Sequence, residues 1–594
     1  MNGTVQNIFN LFDFRDKLSL LYLLFLSIFT SLIEMLGIAS VLPFIGLITD
    51  PHYFDNNTYF LYFKDFFDYN LTDTVYVVGV FIIVMFILSN ASNAYVLWKT
   101  LKFSADQSHK ISCRVMKKYL EQPYKYFVDS DFSVIKKNIL SEASLFSDGF
   151  LLPVLQIISK TFILIALSIL LIFVNHQVFF YSLIFLLIVY YLIFKVIRNT
   201  LTRYGEERTI NNDIRFKNVG DLLQSIKDVK YYSAEDYYLN NFSTAQKNFS
   251  MLTAKRTLFS TLPRYLIEAF AFGGILSMML YISTFSNGFS QYLPTLSLFL
   301  LAAYRILPLL QLIFSSITSI KFFYPAIKQV KEILALPSIL IPDTSSKVKF
   351  NHSIKFKNID FDYSNGTKIL DNLSIAINKN QLTGIIGSTG VGKTTLIDLL
   401  LGFYQPRKGT IEIDGESINL QNIRLLRNIA GYVPQNIAFL DRSIAENIAF
   451  GKNTDVIDYE RINEVIKCVE LKEFVESLEE GYSTTIGDHG VKLSGGQCQR
   501  IGIARALYTN PSILILDEAT NALDSITEQK IFKSIKKYNP DITMILITHR
   551  LSSLNICDEI VVLMKDQVIL KNKKDTNLKQ LEKILEGIDV KKYD

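Results

Sequence analysis

Apolar positions are unevenly distributed along this chain of 594 residues. Before residue 330 they gather in long runs separated by charged stretches, and after residue 350 they form short segments that alternate with helical ones. A bilayer crossing needs about 20 predominantly apolar residues. Six runs meet that length: 18–48, 74–98, 151–175, 178–196, 258–285 and 293–315. The later alternation of strands and helices predicts an α/β domain. The polar stretch 335–351, with Pro337, Pro342 and the pair Ser345-Ser346, marks the joint between the two halves. The expected organisation is therefore an α-helical membrane domain over residues 1–330, a linker over 331–350 and an α/β domain over 351–594.

Charge sets the orientation of the helices. Lys99, Lys102, Lys110, Arg114, Lys117, Lys118, Lys125, Lys136 and Lys137 follow the second run, and the segment after the fourth is similarly basic. The segment 50–73 holds Lys64 against several aspartates, and 286–291 has no Lys or Arg. Basic loops stay on the cytoplasmic side, which puts both termini there. The net charge of +5 is thus read as topology, with no nucleic-acid partner implied. The first run is too long for a cleaved signal and lacks a small-residue cleavage site, so it is expected to be retained. Cys113, Cys468, Cys498 and Cys557 map to cytoplasmic regions without metal-ligand spacing, so neither a disulfide nor a zinc site is expected.

The chemistry lies in the second half. Gly387, Ser388, Thr389, Gly390, Val391, Gly392, Lys393 and Thr394 spell GSTGVGKT between the apolar pair Ile385-Ile386 and the helical run TTLIDLLLG, which begins at Thr394 and Thr395. Strand, glycine loop and helix in that order form a phosphate cradle: the glycines admit backbone amides to the phosphates, Lys393 reaches the outer oxygens and Thr394 ligates magnesium. Asp517, at the tip of the apolar strand 513–516, is expected as a second magnesium ligand. Glu518 next to it is placed to polarise an attacking water as a general base. The run LSGGQ, 493–497, opens a helix with Ser494, Gly495 and Gly496, and a helix N-terminus favours anions.

These motifs, in this order, resemble those of ATP-binding cassette exporters, and the resemblance covers the whole chain. It implies an α/β P-loop nucleotide-binding domain behind six transmembrane helices, with ATP and Mg2+ as ligands. It implies that Gln435, in YVPQN, senses magnesium and water. His549 is then the switch histidine, Asp524 in NALD belongs to a loop that crosses a dimer interface, and Tyr363 in FDYSNG stacks on adenine. TTIGDHG, 484–490, resembles the X-loop of exporters. Two departures stand out: Asn521 where serine is more usual, and Cys498 directly after the signature. Ser494, Gly495, Gly496 and Gln497 then serve the nucleotide held by another chain. One cradle and one signature per chain imply two copies or a related partner chain, with a twofold homodimer favoured. Coupling helices are placed near 124–135 and 225–234.

Charged residues within apolar runs are costly, by about 2.5–3.5 kcal/mol each, and are functional candidates by default. Glu34, Lys160, Arg264, Glu268 and Arg305 qualify. Arg264 and Glu268, four apart, are spaced to pair along one helix face, and Lys160 to snorkel. Arg305 lies about 18 Å into its run, with Glu34 at similar depth as its possible partner. Arginines suit an anionic headgroup, and the aromatic segment 52–70 suits the outer bilayer surface. Glu34 with Pro43 and Phe44, the run from Pro263 to Glu268 and that from Tyr304 to Pro308 are similar to PglK-type flippases of lipid-linked oligosaccharides. That resemblance implies an ATP-driven flippase in the bacterial inner membrane, with Glu34, Arg264 and Arg305 as substrate residues. An exporter of another amphiphile, such as lipid A, a drug or a peptide, is the alternative, followed by an ATP-gated channel or regulator.

Overall fold

Each of the six apolar runs folds as helix. In the computed structural model, which describes residues 12–49, 71–285, 289–338, 350–363, 366–419, 422–487, 490–564 and 568–572, the chain divides into two units. The aromatic segment 52–70, residues 286–288, most of the joint (339–349) and Asp488 and His489 of TTIGDHG lie outside the described residues.

The first unit holds α1 (Phe14–Ala39), α2 (Val41–Thr49), α3 (Leu71–Leu120), α4 (Tyr124–Val128, shared with the second unit), α5 (Leu152–Gln224), α6 (Ile226–Tyr231), α7 (Glu235–Phe285) and α8 (Phe289–Leu334). Asp13 opens α1 through a reciprocal capping box with Asp16, whose carboxylate also holds Lys110 of α3 at 2.7 Å. The first run breaks at Ser40, where Pro43 has no N–H to donate to the carbonyl four residues earlier. In α5 the break between the third and fourth runs is Asn175, with φ −157° and ψ 99°. Four stretches are long and apolar enough to cross a membrane among the described residues: Phe14–Ala39, Val75–Leu120, Phe132–Gln177 and Ser297–Leu334. The fourth run overlaps the shorter apolar helix Leu187–Ile197, and the fifth forms the C-terminal part of α7.

The helices continue well past the apolar runs. α3 has 50 residues, about 75 Å at 1.5 Å per residue, against about 30 Å of hydrocarbon. The basic stretches read from sequence as loops are therefore largely helix, and α8 continues to Leu334, four residues into the expected linker. The short helices α4 and α6 fall within 124–135 and 225–234, the segments expected to hold coupling helices.

Where the long helices are polar they are joined by buried charges. Glu142, fully buried at the end of a π-helical turn (Asn138–Glu142), accepts two hydrogen bonds from Arg208 of α5 at 2.9 and 3.1 Å and one from Asn212 at 2.7 Å. Arg208 lies over the rings of Phe249 (α7) and Phe323 (α8), Arg215 over Phe249, and Arg256 over Phe323, so cations and rings alternate across three helices.

The second unit is built on two sheets. β1 (Ser353–Asp362), β2 (Lys368–Asn378), β4 (Lys408–Ile413) and β5 (Glu416–Ile418) form an antiparallel sheet in the order β2-β1-β4-β5. β3 (Leu382–Gly387), β6 (Ala430–Val433), β7 (Ile513–Asp517), β8 (Thr543–Ile547), β9 (Glu559–Leu563) and β10 (Val568–Asn572) form the other, in the order β10-β9-β3-β8-β7-β6. All its pairings are parallel except β10 with β9. Alternate residues of the central strands enter two different cores: Leu514, Leu516, Met544 and Leu546 pack on one face, Ile513, Ile515, Ile545 and Ile547 on the other. Covering both faces explains why these strands are unbroken apolar runs in the sequence.

Removing Glu142 leaves Arg208 buried without a counter-charge, which costs about 3–5 kcal/mol. Glu142→Ala is therefore expected to lower the thermal unfolding midpoint of the detergent-purified protein by several degrees. Glu235→Ala, which removes only the exposed partner of Lys230, is expected to leave it nearly unchanged.

Candidate functional site

Strand register gathers the site. Ile385 of β3 pairs with Ile547 of β8, and Ile547 pairs with Asp517 of β7, so three buried strands end side by side. Their C-terminal ends carry the loop from Gly387, the acidic pair Asp517-Glu518, and Thr548-His549. Ligands of open parallel sheets bind at this edge.

The glycine loop needs its glycines for separate reasons. A Cβ on Gly387 would stand 2.5 Å from the Leu563 carbonyl oxygen, whereas Gly390 and Gly392 have φ of +83° and +103°, where side chains are strained. Ser388, Thr389 and Val391 complete the turn, with the Val391 N–H donating to the Ser388 carbonyl. Lys393 folds back so that Nζ donates to the carbonyls of Gly387 at 2.8 Å and Ser388 at 3.0 Å. It opens α9 (Lys393–Leu400), whose buried Thr395 meets the Tyr363 hydroxyl at 2.8 Å. The Tyr363 ring stands edge-on to Phe361 and Tyr404, which fixes its plane beside the loop.

Asp517 is 2% exposed and lies beside Thr394. Burial, with the Glu518 charge beside it, pushes its carboxyl up to about 6, against the pull of Lys393 and Thr394. Burial lowers the Lys393 ammonium, opposed by Glu518 and Asp517. Asp398, one turn further along α9, is likewise pushed up to about 6 by burial and by Asp517. Asp398 belongs to no motif of the sequence, and its place beside the site follows from the packing of α9 near Asp517.

Glu518 has φ of +50°, unusual for a residue with a side chain. Its Oε1 lies 2.7 Å from Nε2 of His549, while Oε2 accepts from Nδ2 of Asn521 at 3.1 Å and from Nε2 of Gln435 at 2.9 Å. The structure thus brings Gln435, Glu518 and His549 into one cluster. It adds Asn521, seen in the sequence as a departure without a role. Arg550 fixes the following loop by donating to the carbonyls of Leu523 and Asn521.

The signature sits on α10 (Gly495–Tyr508). Ser494 caps it through the reciprocal pair of Gln497 N–H to Ser494 Oγ at 3.3 Å and Ser494 N–H to Gln497 Oε1 at 2.8 Å. Gly495 and Gly496 lie against Ala522, and Gln499 accepts from the Ala522 N–H at 2.7 Å. Asp524 caps α11 (Ser525–Tyr538) by accepting from the Thr527 N–H at 2.9 Å. Signature and NALD segments are thus fastened to each other within one chain.

Of the membrane residues, Glu34 and Arg305 meet across α1 and α8, with Arg305 Nε 2.5 Å from Oε1. Arg305 Nη2 also donates to Asn90 of α3 at 3.1 Å, and Asn93 Nδ2 donates to Glu34 Oε2 at 2.9 Å. Arg264 instead pairs with Glu268 on its own helix at 2.6 Å, half exposed. Each arginine thus has its own carboxylate partner.

Residues 19–307 match the ABC transporter transmembrane region family and residues 370–521 the ABC transporter family. An export ATP-binding/permease protein of Rickettsia typhi is 47% identical over 219 residues, 36% of this chain and 38% of its own length. The heterocyst differentiation ATP-binding protein HepA of Nostoc is 32% identical over 370 residues, 61% of this chain and 60% of its own. The matches thus span less than two thirds of these relatives. A solved bacterial Atm1-family ABC exporter with ATP bound shares the fold, with a TM-score of 0.77 over 96% of this chain and 97% of that one at 21% identity. With its membrane region and its cassette each matched in turn, the chain belongs to the ABC transporter family and has the architecture of an ABC exporter: a helical membrane domain followed by an α/β nucleotide-binding domain.

Proposed function

We propose that two copies of this chain form an ATP-driven exporter in the bacterial inner membrane, with both termini and the nucleotide-binding domains cytoplasmic. The observation that carries this reading is the convergence of Lys393, Thr394, Asp517, Glu518, Gln435 and His549 at one edge of the parallel sheet, in a chain whose first half forms apolar helices of spanning length.

The residues fit ATP with magnesium. Lys393, already turned into the loop, reaches the outer phosphate oxygens, and Tyr363 presents its ring to adenine. Thr394 and Asp517 are neighbouring hard oxygen donors, and the buried Asp517 carboxylate has only Lys393 as a cation acting on it among the described residues, as suits a divalent ion. Gln435 completes the metal's surroundings. When bound, magnesium neutralises charge on the β- and γ-phosphate oxygens.

Glu518 acts as the general base. A carboxylate offers about four acceptor sites, and His549, Gln435 and Asn521 occupy three. The remaining site, on Oε1, is left to take the proton of the attacking water while His549 holds the carboxylate in place. Ser494, Gly495, Gly496 and Gln497 of each copy close over the other's nucleotide, Asp524 lies at that interface, and α4 and α6 couple closure to the membrane helices.

The cargo we assign is an anionic amphiphile, specifically a polyprenyl-pyrophosphate-linked oligosaccharide. Support comes from the sequence likeness around Glu34, Pro263–Glu268 and Tyr304–Pro308, and from the cations Arg264 and Arg305 held within apolar helices.

Glu518→Gln is expected to reduce steady-state ATP hydrolysis by about 100-fold or more with nucleotide binding retained. An undiminished rate would mean that the cassette gates without turnover. Asn521→Ala removes one hydrogen bond to the base and is expected to slow hydrolysis by only about 2- to 10-fold. In proteoliposomes, Arg305→Ala is expected to abolish translocation of a lipid-linked oligosaccharide while basal hydrolysis persists. Protein that moves a drug or peptide but not this lipid would overturn the cargo assignment.

A further inference from the structure

The charges around Glu34 do not balance. Glu34 of α1 is 3% exposed and receives Arg305 of α8 on one oxygen and Asn93 of α3 on the other. Asn93 in turn accepts, through Oδ1, a hydrogen bond of 3.3 Å from the ammonium of Lys160 on α5. Four helices are thus tied by a chain running from Lys160 through Asn93 and Glu34 to Arg305 and on to Asn90.

Among the described residues, two cations share one carboxylate. The carboxylate nearest to Asn93, Glu34, is already in direct contact with Arg305. The ammonium reaches Glu34 only through the amide of Asn93, and no ion pair of its own is found among the described residues. One turn before Asn93, the buried hydroxyl of Ser89 also lacks a partner among the described residues. An excess cation in a membrane interior is retained at substantial cost and marks a place where a negative charge is received.

We propose that Lys160 is a specificity-determining residue, the surplus cation that receives one negative charge of the transported amphiphile's headgroup. This rests on the exporter reading above and extends it: Arg305 keeps Glu34, and the ligand's anion completes the balance at Lys160. Asn93 is the hinge of this arrangement, since its two amide ends face the carboxylate and the ammonium. A neutral or cationic amphiphile would leave the excess charge uncompensated, so selectivity for anions follows from the network as a whole.

Full-length protein in proteoliposomes would be titrated with farnesyl pyrophosphate, and with uncharged farnesol as control, reading stimulation of ATP hydrolysis. Wild type is expected to respond to the pyrophosphate and not to farnesol. Lys160→Gln keeps a donor for Asn93 but removes the charge. It is expected to raise the half-maximal concentration about tenfold, as for loss of one charge-assisted contact, with basal hydrolysis unchanged. Lys160→Arg is expected to stay within about twofold of wild type. If Lys160→Gln responds like wild type, or if Lys160→Arg fails as fully as Lys160→Gln, the charge of Lys160 does not select cargo and the proposal falls, while the exporter reading stands. If wild type hydrolyses ATP but ignores farnesyl pyrophosphate and responds to a cationic amphiphile, the anionic-cargo reading falls with it. Should Lys160→Gln lose basal hydrolysis, direct binding of radiolabelled farnesyl pyrophosphate to Lys160→Met and wild type decides, equal affinity overturning the proposal.

Discussion

The register of β3, β8 and β7 is the constraint on which the nucleotide site depends. A one-residue slip in a strand buried on both faces would exchange Ile545 and Ile547 with Met544 and Leu546 between two differently shaped cores. Packing therefore fixes the register, and the register fixes the heights at which Gly387, Asp517 and Thr548 leave the sheet. The polar groups of the site need no separate device to bring them to one level. Their positions are consequences of burial.

A second rule operates in both units: a carboxylate withdrawn from water needs hydrogen-bond donors around it. Glu142 meets it with Arg208 and Asn212, Glu34 with Arg305 and Asn93, and Glu528 with the Ser553 hydroxyl. Asp517 meets it least fully, which is why burial moves its carboxyl so far. That contrast separates carboxylates that fasten helices from the one proposed to take a cation. Arg264 and Glu268 fall outside the rule, since they pair half exposed along one helix, where such a pair contributes little.

What was legible in the sequence depended on how local the governing physics is. The cradle around Lys393 is a strand, a turn and a helix in succession, so its residues could be named from spacing, and each lies where that spacing implies. The apolar runs were legible because bilayer thickness sets their length. The extension of α3, α5, α7 and α8 beyond the runs was not, because those stretches are polar and become helical by packing on one another around the Arg208–Glu142 pair. Glu34 and Arg305, 271 residues apart, share a depth that their runs show, whereas the Lys160–Asn93 link that gives the pair its context depends on the fold. Asn521 was visible only as an oddity, because its partner is created by the left-handed turn at Glu518.

That turn also explains why so short a segment holds so much chemistry. With extended backbone, Glu518 would continue β7 and its side chain would alternate into the core opposite Asp517. A left-handed residue with a side chain costs roughly 1–2 kcal/mol. Three side-chain hydrogen bonds and the backbone bond from the Glu518 N–H to the Ile547 carbonyl offset that cost. The bonds that stabilise the turn are the ones that orient the carboxylate, so weakening the orientation also weakens the turn. Glu518 is thus held by the same contacts that its proposed reaction uses, and Gln435 and His549, which approach it from separate loops, are the groups through which a change elsewhere in the cassette would reach the base.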